Sequence, residues 1–185
     1  MAVNNIIKRI QNIMRQDAGI NGDAQRIEQM TWMFFLKVYD TQEETWEYKD
    51  ENYKSIIPED LRWRKWAVDE KDGEALTGEA LLSFVNEKLF PTLKNLPIDA
   101  NTPRAKSIVL ETFADLNQYM KNGTLLRQVV NIVNEIEFDD ADDRHTFGDI
   151  YEGILKDLQS AGNAGEFYTP RALTDFIVMM LDPKL

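Results

Sequence analysis

Two glycines, two adjacent aromatic rings and a threonine followed by proline make up the stretch of this sequence best suited to hold a ligand. It runs Gly162-Asn163-Ala164-Gly165-Glu166-Phe167-Tyr168-Thr169-Pro170-Arg171. Glycine tolerates positive φ and lets a ligand approach the backbone closely. Thr169 is a good N-cap, and Pro170 suits the first position of a helix. The helix start leaves free backbone N–H groups and a positive dipole end, which attract a carboxylate or phosphate beside the aromatic rings. The same residues also read as an ordinary loop-to-helix transition.

A second candidate combines Arg62, Arg64 and Lys65 with Trp63 and Trp66. Cations interleaved with indoles can contact phosphates and stack on bases. The alternative is amphipathic side chains laid over the edge of a core. Two further groups offer less. The run Asp139-Asp140-Ala141-Asp142-Asp143 lacks the alternating ligands and closing glutamate of a calcium loop, and Arg144 falls on a ligand position. It reads as a solvated loop and helix cap. His145 is the single histidine and there is no cysteine, so neither a zinc set nor a thiol nucleophile can be assembled.

The elements that would position these groups are helical. Val3, Ile6, Ile7, Ile10, Ile13 and Met14 fall at three- and four-residue spacing and predict a first amphipathic helix. Asn21-Gly22 ends that segment, and Asp23 is expected to cap a second helix. There the run Trp32-Met33-Phe34-Phe35-Leu36 is apolar nearly all round and predicts a buried central helix. From Asp40 to Gly78 aromatics mix with charges, and short helices and loops are expected. Ala80 to Leu96 predicts an amphipathic helix that Pro91 kinks or breaks. Pro103 is placed to open a helix carrying Ile108, Val109, Phe113 and Leu116. Asn122-Gly123 turns the chain, with Thr124 expected to cap a helix from Leu125 to Ile136. Further helices are expected from His145 to Leu158 and from Pro170 to Leu181. No run alternates as a strand would, and no heptad pattern is sustained. The expected fold class is all-α, an irregular helical bundle.

The 185 residues carry 21 basic and 32 acidic side chains, a net charge of -11. A field of that sign repels phosphate backbones, so any nucleic-acid contact needs a local basic strip or a basic partner. The longest strongly apolar stretch, Met30 to Tyr39, falls well short of the ~20 residues that span a bilayer. No signal-peptide pattern opens the chain, and a cytoplasmic location is expected.

Taken together, Gly165 to Arg171, the preceding Asp149-Ile150-Tyr151-Glu152 and Gly153-Ile154-Leu155, and the upstream Phe84-Val85-Asn86-Glu87-Lys88-Leu89-Phe90 resemble the modification subunit of type I restriction-modification systems. The resemblance implies a helical N-terminal domain in front of an S-adenosylmethionine-dependent methyltransferase domain that acts on adenine N6 of double-stranded DNA. It implies that Glu166, Phe167, Tyr168, Thr169, Pro170 and Arg171 lie beside the methionine part of the cofactor. It implies a specificity subunit and a restriction subunit as partners, with DNA in the assembled complex and no metal in methyl transfer. The family's glycine-rich cofactor loop and its Asn/Asp-Pro-Pro-aromatic segment are absent, and no Pro-Pro occurs in the sequence. The expectation is therefore a helical assembly domain over 1–160, and over 161–185 a linker and first helix leading into a catalytic domain not contained in the chain. The catalytic residues lie elsewhere, and these residues alone would be inactive. Arg62, Arg64, Lys65 and Trp66 are the candidate DNA or partner contacts. A free-standing acidic helical adaptor remains the alternative, distinguished by Phe167 to Pro170, which it leaves unexplained. An acidic DNA mimic is disfavoured because the carboxylates cluster at Asp139 to Asp143 rather than along a strip.

Overall fold

The computed structural model describes residues 3–69, 73, 75–97, 102, 104–136 and 180. Helices α1 (Val3–Met14) and α2 (Asp23–Lys49) lead into a 3-10 turn (Glu59–Leu61) and the short α3 (Trp63–Trp66). Then come α4 (Gly78–Ser83), a π-helical turn (Phe84–Leu89), α5 (Phe90–Lys94), α6 (Arg104–Asp115) and α7 (Gly123–Asn134). There is no strand among the described residues, and the architecture is all-α as the sequence predicts.

The stripes seen in the sequence are the faces that pack. Ile6, Ile7, Ile10 and Met14 of α1 lie buried against α7, whose Leu126, Val129, Val130 and Val133 are buried in turn. Arg9 and Glu135 tie the two helices at the rim by a bidentate ion pair of 2.6 and 3.0 Å. Trp32 of α2 is fully buried, stacked on Trp66 at 6.5 Å and edge-on to Phe90 at 5.3 Å. Aromatic contacts of this geometry add to the hydrophobic gain of burying large rings. The Trp32 indole N–H has no hydrogen-bond partner, so its ring is held by packing alone.

Three expectations are corrected. Helix α2 does not give way to loops at Asp40 but continues to Lys49. Nothing between Asp23 and Lys49 breaks a helix, and Trp46 packs edge-on against Tyr39 at 5.7 Å. Gly22, at φ +101°, precedes α2, while Asp23 stands inside the first turn and pairs with Arg26. For α7 the cap is Asn122, whose side chain accepts from the N–H groups of Thr124 and Leu125 at 3.0 and 3.1 Å. Of the two outcomes expected at Pro91, a kink or a break, the break does not occur: helical turns follow one another from Gly78 to Lys94. Pro91 stands two residues past the end of the wide π turn, where the looser backbone relieves the clash a proline ring makes with the carbonyl four residues earlier.

Two connections fix how the helices meet. Asp17, buried after α1, accepts from the N–H groups of Gly19, Lys121 and Asn122 at 2.7 to 2.9 Å. Glu28 and Gln29 of α2 accept from the N–H groups of Asn117 and Tyr119 at 2.7 and 2.9 Å. Carboxylate and amide oxygens thus satisfy the backbone of the α6–α7 connection, which would otherwise carry unmade hydrogen bonds. At Gly123 the start of α7 runs against the backbone of Gly78, itself at φ +56°, leaving no room for a Cβ.

Candidate functional site

The acidic second half of α2 binds the segment that holds the basic strip. Asp40 and Glu43 are buried, and one oxygen of each accepts hydrogen bonds from residues later in the chain, while the other oxygen accepts none. Glu43 accepts hydrogen bonds from the Tyr53 and Ser55 hydroxyls. Asp40 accepts the backbone N–H of Arg64 at 3.0 Å, and its other oxygen lies 3.7 Å from the Arg64 guanidinium. Burial pushes the Asp40 carboxyl up to about 6, with Arg64 pulling it back down. Arg64 also reaches Glu44 and Glu47, and Arg62 pairs with Glu47 at 2.7 Å. Charge-assisted pairs of this kind orient planar guanidinium groups firmly.

From the other side α7 grips the same segment. The Arg127 guanidinium is buried and donates to the carbonyls of Leu76, Ala67 and Trp66 at 2.7, 2.8 and 3.1 Å. Burial lowers its pKa, and Asp69 opposes that shift. Asn134 donates to the Ala67 carbonyl at 2.8 Å and accepts from the Trp63 indole at 2.7 Å.

Between these grips opens a cleft of about 360 Å³. Trp66, Val68, Leu76 and Phe84 give it an apolar lining, with Arg64, Lys65, Lys88, Asp60 and Asp69 contributing charge. At the rim Lys88 pairs with Asp60 and lies 5.9 Å from the centre of the Phe84 ring. Its hydrogen bond holds the Asp60 carboxyl below the usual range. Lys65 pairs with Glu59 at 3.4 Å.

The strip predicted from sequence is therefore divided. Arg62 and Arg64 face the carboxylates of α2. Trp66 is 5% exposed and donates its indole N–H to the Leu61 carbonyl at 3.2 Å, so its ring is a core element with an edge on the cleft. Lys65 remains half exposed at the rim. Sequence reading passed over Arg127, Asn134, Asp60 and the cleft role of Lys88. An arginine set among the apolar residues of α7 was the available signal for the first. Glu166, Phe167, Tyr168, Thr169, Pro170 and Arg171 lie outside the described residues, as do Asp139 to Asp143, His145 and the two helices expected after them. Among the described residues no group of histidine and carboxylate side chains is arranged to hold a metal ion, and no helix is long and apolar enough to cross a membrane.

Residues 3–133 match the family model described as HsdM N-terminal domain, a span that covers α1 and reaches into the last turn of α7. The chain belongs to the HsdM N-terminal domain family. Beyond this HsdM domain, residues 142–185 match the N-6 DNA Methylase model, a region that contains Glu166 to Arg171. Over its whole length the chain is 58% identical to the type I restriction enzyme EcoEI methylase subunit of Escherichia coli, of which it spans 37%. It is 26% identical over 133 residues to the StySPI methylase subunit of Salmonella potsdam, covering 69% of this chain and 22% of that one. A crystal structure of a modification subunit of a putative type I restriction enzyme from Vibrio vulnificus YJ016 superposes with a TM-score of 0.82 at 34% identity, over 98% of this chain and 40% of that one. A structure described for complex assembly and conformational transition of the type I R-M system gives 0.76 at 34% identity, over 98% and 36%. The HsdM N-terminal match, which contains this cleft, is thus followed in the chain by a match to the N-6 DNA Methylase model.

Proposed function

We propose that this chain is the N-terminal part of the methylase subunit of a type I restriction-modification system, whose parent transfers a methyl group from S-adenosylmethionine to adenine N6 in double-stranded DNA. The observation that carries this reading is the succession of an HsdM N-terminal match over 3–133 and an N-6 DNA Methylase match over 142–185 in one chain. The helical part, 1–160 in this proposal, serves assembly with the specificity and restriction subunits and closure around DNA, in the cytoplasm. Lys65 at the cleft rim is the member of the Arg62, Arg64, Lys65 and Trp66 strip best exposed to meet a partner.

In the 161–185 segment, Glu166 to Arg171 would form one wall of the cofactor pocket. The residue types fit: the Thr169-Pro170 sequence suits a capped helix start, which would offer N–H groups to the carboxylate of S-adenosylmethionine, and Phe167 and Tyr168 would offer apolar surface. The cofactor supplies the methyl group, and the residues that position the adenine belong to the remainder of the parent. Residues 1–185 alone are accordingly inactive.

The test is methyl transfer to duplex DNA by the catalytic domain with the specificity subunit, in the presence and absence of residues 1–185. The expected result is loss of activity and of complex formation without them. Unchanged activity and assembly would overturn the reading.

A further inference from the structure

Each half-exposed lysine at the cleft rim is paired with one carboxylate, and both carboxylates come from the same short turn. Lys65 stands on α3 and Lys88 on the π turn, with side chains 49% and 56% exposed. Their partners, Glu59 and Asp60, are adjacent in the 3-10 turn and are themselves 74% and 58% exposed. Arg64 differs, being one-fifth exposed and engaged by Asp40, Glu44 and Glu47. Pairs as open to water as those of the lysines add little to stability, so their loss does not threaten the fold. The Glu59–Asp60 turn is thus weakly justified as a structural clamp. Its carboxylates do, however, cancel the positive charge of the two half-exposed cations at the cleft rim.

We propose that Lys65 and Lys88 form a phosphodiester-binding rim and that Glu59 and Asp60 guard it by occupying both lysines until a nucleic-acid backbone displaces them. This rests on the DNA-methylase reading above, which supplies duplex DNA as the anion; the match over 142–185 continues the chain into DNA-methylase sequence. On a chain of net charge -11 the guard would suppress stray binding to polyanions. DNA presented by an assembled complex would carry enough local charge to exchange for the carboxylates. The Phe84 ring, whose centre lies 5.9 Å from the Lys88 ammonium, gives that cation a contact that does not depend on Asp60 and persists during the exchange.

The experiment measures binding of a fluorescent duplex oligonucleotide to the 185-residue chain by anisotropy at low salt. The double variant Glu59→Gln/Asp60→Asn is compared with Glu51→Gln/Glu79→Gln, which changes net charge equally at exposed positions that do not line the cleft. Guard removal is expected to tighten binding on the order of tenfold and to steepen the salt dependence by about one ion per freed lysine. Adding Lys65→Gln/Lys88→Gln should abolish the gain. Equal gain in the control pair, survival of the gain without the lysines, or no detectable binding by any variant would overturn the proposal. So would an equal gain for poly-glutamate of matched charge, which would identify an acidic protein surface as the occupant. Thermal melts by circular dichroism confirm that each variant is folded. The methyl-transfer assay above is independent of these outcomes, so failure of the guard and failure of the methylase reading are separable.

Discussion

Arg127 on α7 and Asn134, two turns further along, donate to the same backbone oxygen, that of Ala67. This carbonyl lies just past α3, where a helix C-terminus leaves acceptors unmet. Arg127 satisfies the carbonyls of Trp66 and Leu76 as well. One buried cation therefore meets three backbone carbonyls, two at the end of α3 and one at Leu76, on the wall of the cleft.

Arg127→Leu should destabilise the chain by about 3 kcal/mol, because it strands buried carbonyls while preserving most of the side-chain volume. Arg127→Lys should recover only part, since one ammonium cannot reproduce the planar fork. A double-mutant cycle with Asn134→Ala, read by urea unfolding, should give coupling of roughly 1 kcal/mol at the shared acceptor. Strict additivity would show that the two donors act separately.

Gly123→Ala has opposite expected signs in isolation and in this fold. In an exposed helix interior alanine is favoured over glycine by about 1 kcal/mol. Here a Cβ would run into the Gly78 carbonyl, a backbone group that cannot step aside without moving α4. Loss of about 2 kcal/mol or more is expected in urea denaturation. A stabilised variant would show that α4 and α7 are not packed backbone to backbone.

Asp17→Ala should cost more than Asn122→Ala, although both act at the same corner. The Asn122 side chain caps two N–H groups, and its removal should cost about 1 kcal/mol. Asp17 is buried and serves three N–H groups drawn from two connections. Its loss should cost about 3 kcal/mol and open exchange at the amides of Lys121 and Asn122. Hydrogen exchange at these two amides checks the assignment directly.

How far such relationships could be read beforehand depended on their range along the chain. The stripes of α1 and α7 were legible because each helix buries one face, and helical spacing records that. The second half of α2 was not. Asp40 and Glu43 interrupt its stripe and look like solvent-facing positions, yet both are buried because Tyr53, Ser55 and Arg64 return to them. Local periodicity carries no trace of a partner 10 to 24 residues away. The strip at Arg62 to Trp66 was found for its composition, but composition could not say which charges α2 already holds. Pro91 was rightly flagged as a disturbance; that the backbone widens before it rather than breaking depends on Leu89, Phe90 and Leu93 all staying in the core.

The buried Asp40 makes a pH prediction with a definite sign. Burial raises its carboxyl from 3.8 to about 6, even with Arg64 opposing. Between these values the folded chain holds a proton that the unfolded chain has released, so this group's contribution to stability falls as pH rises through that window. The shift corresponds to roughly 3 kcal/mol between pH 4 and pH 7. Asp40→Asn keeps an oxygen for the Arg64 N–H and carries no charge at any pH. The variant should match the native chain near pH 4 and exceed it by about 1 to 3 kcal/mol at pH 7, the lower figure allowing for lost attraction to Arg64. Exposed carboxylates whose pKa values are lowered, such as Asp60 and Glu135, contribute in the opposite direction but equally in both proteins. The difference between the two stability curves therefore isolates Asp40. A gap that does not widen from pH 4 to pH 6 in urea titrations would show that the carboxyl is ionised at little cost, with Arg64 fully compensating its burial.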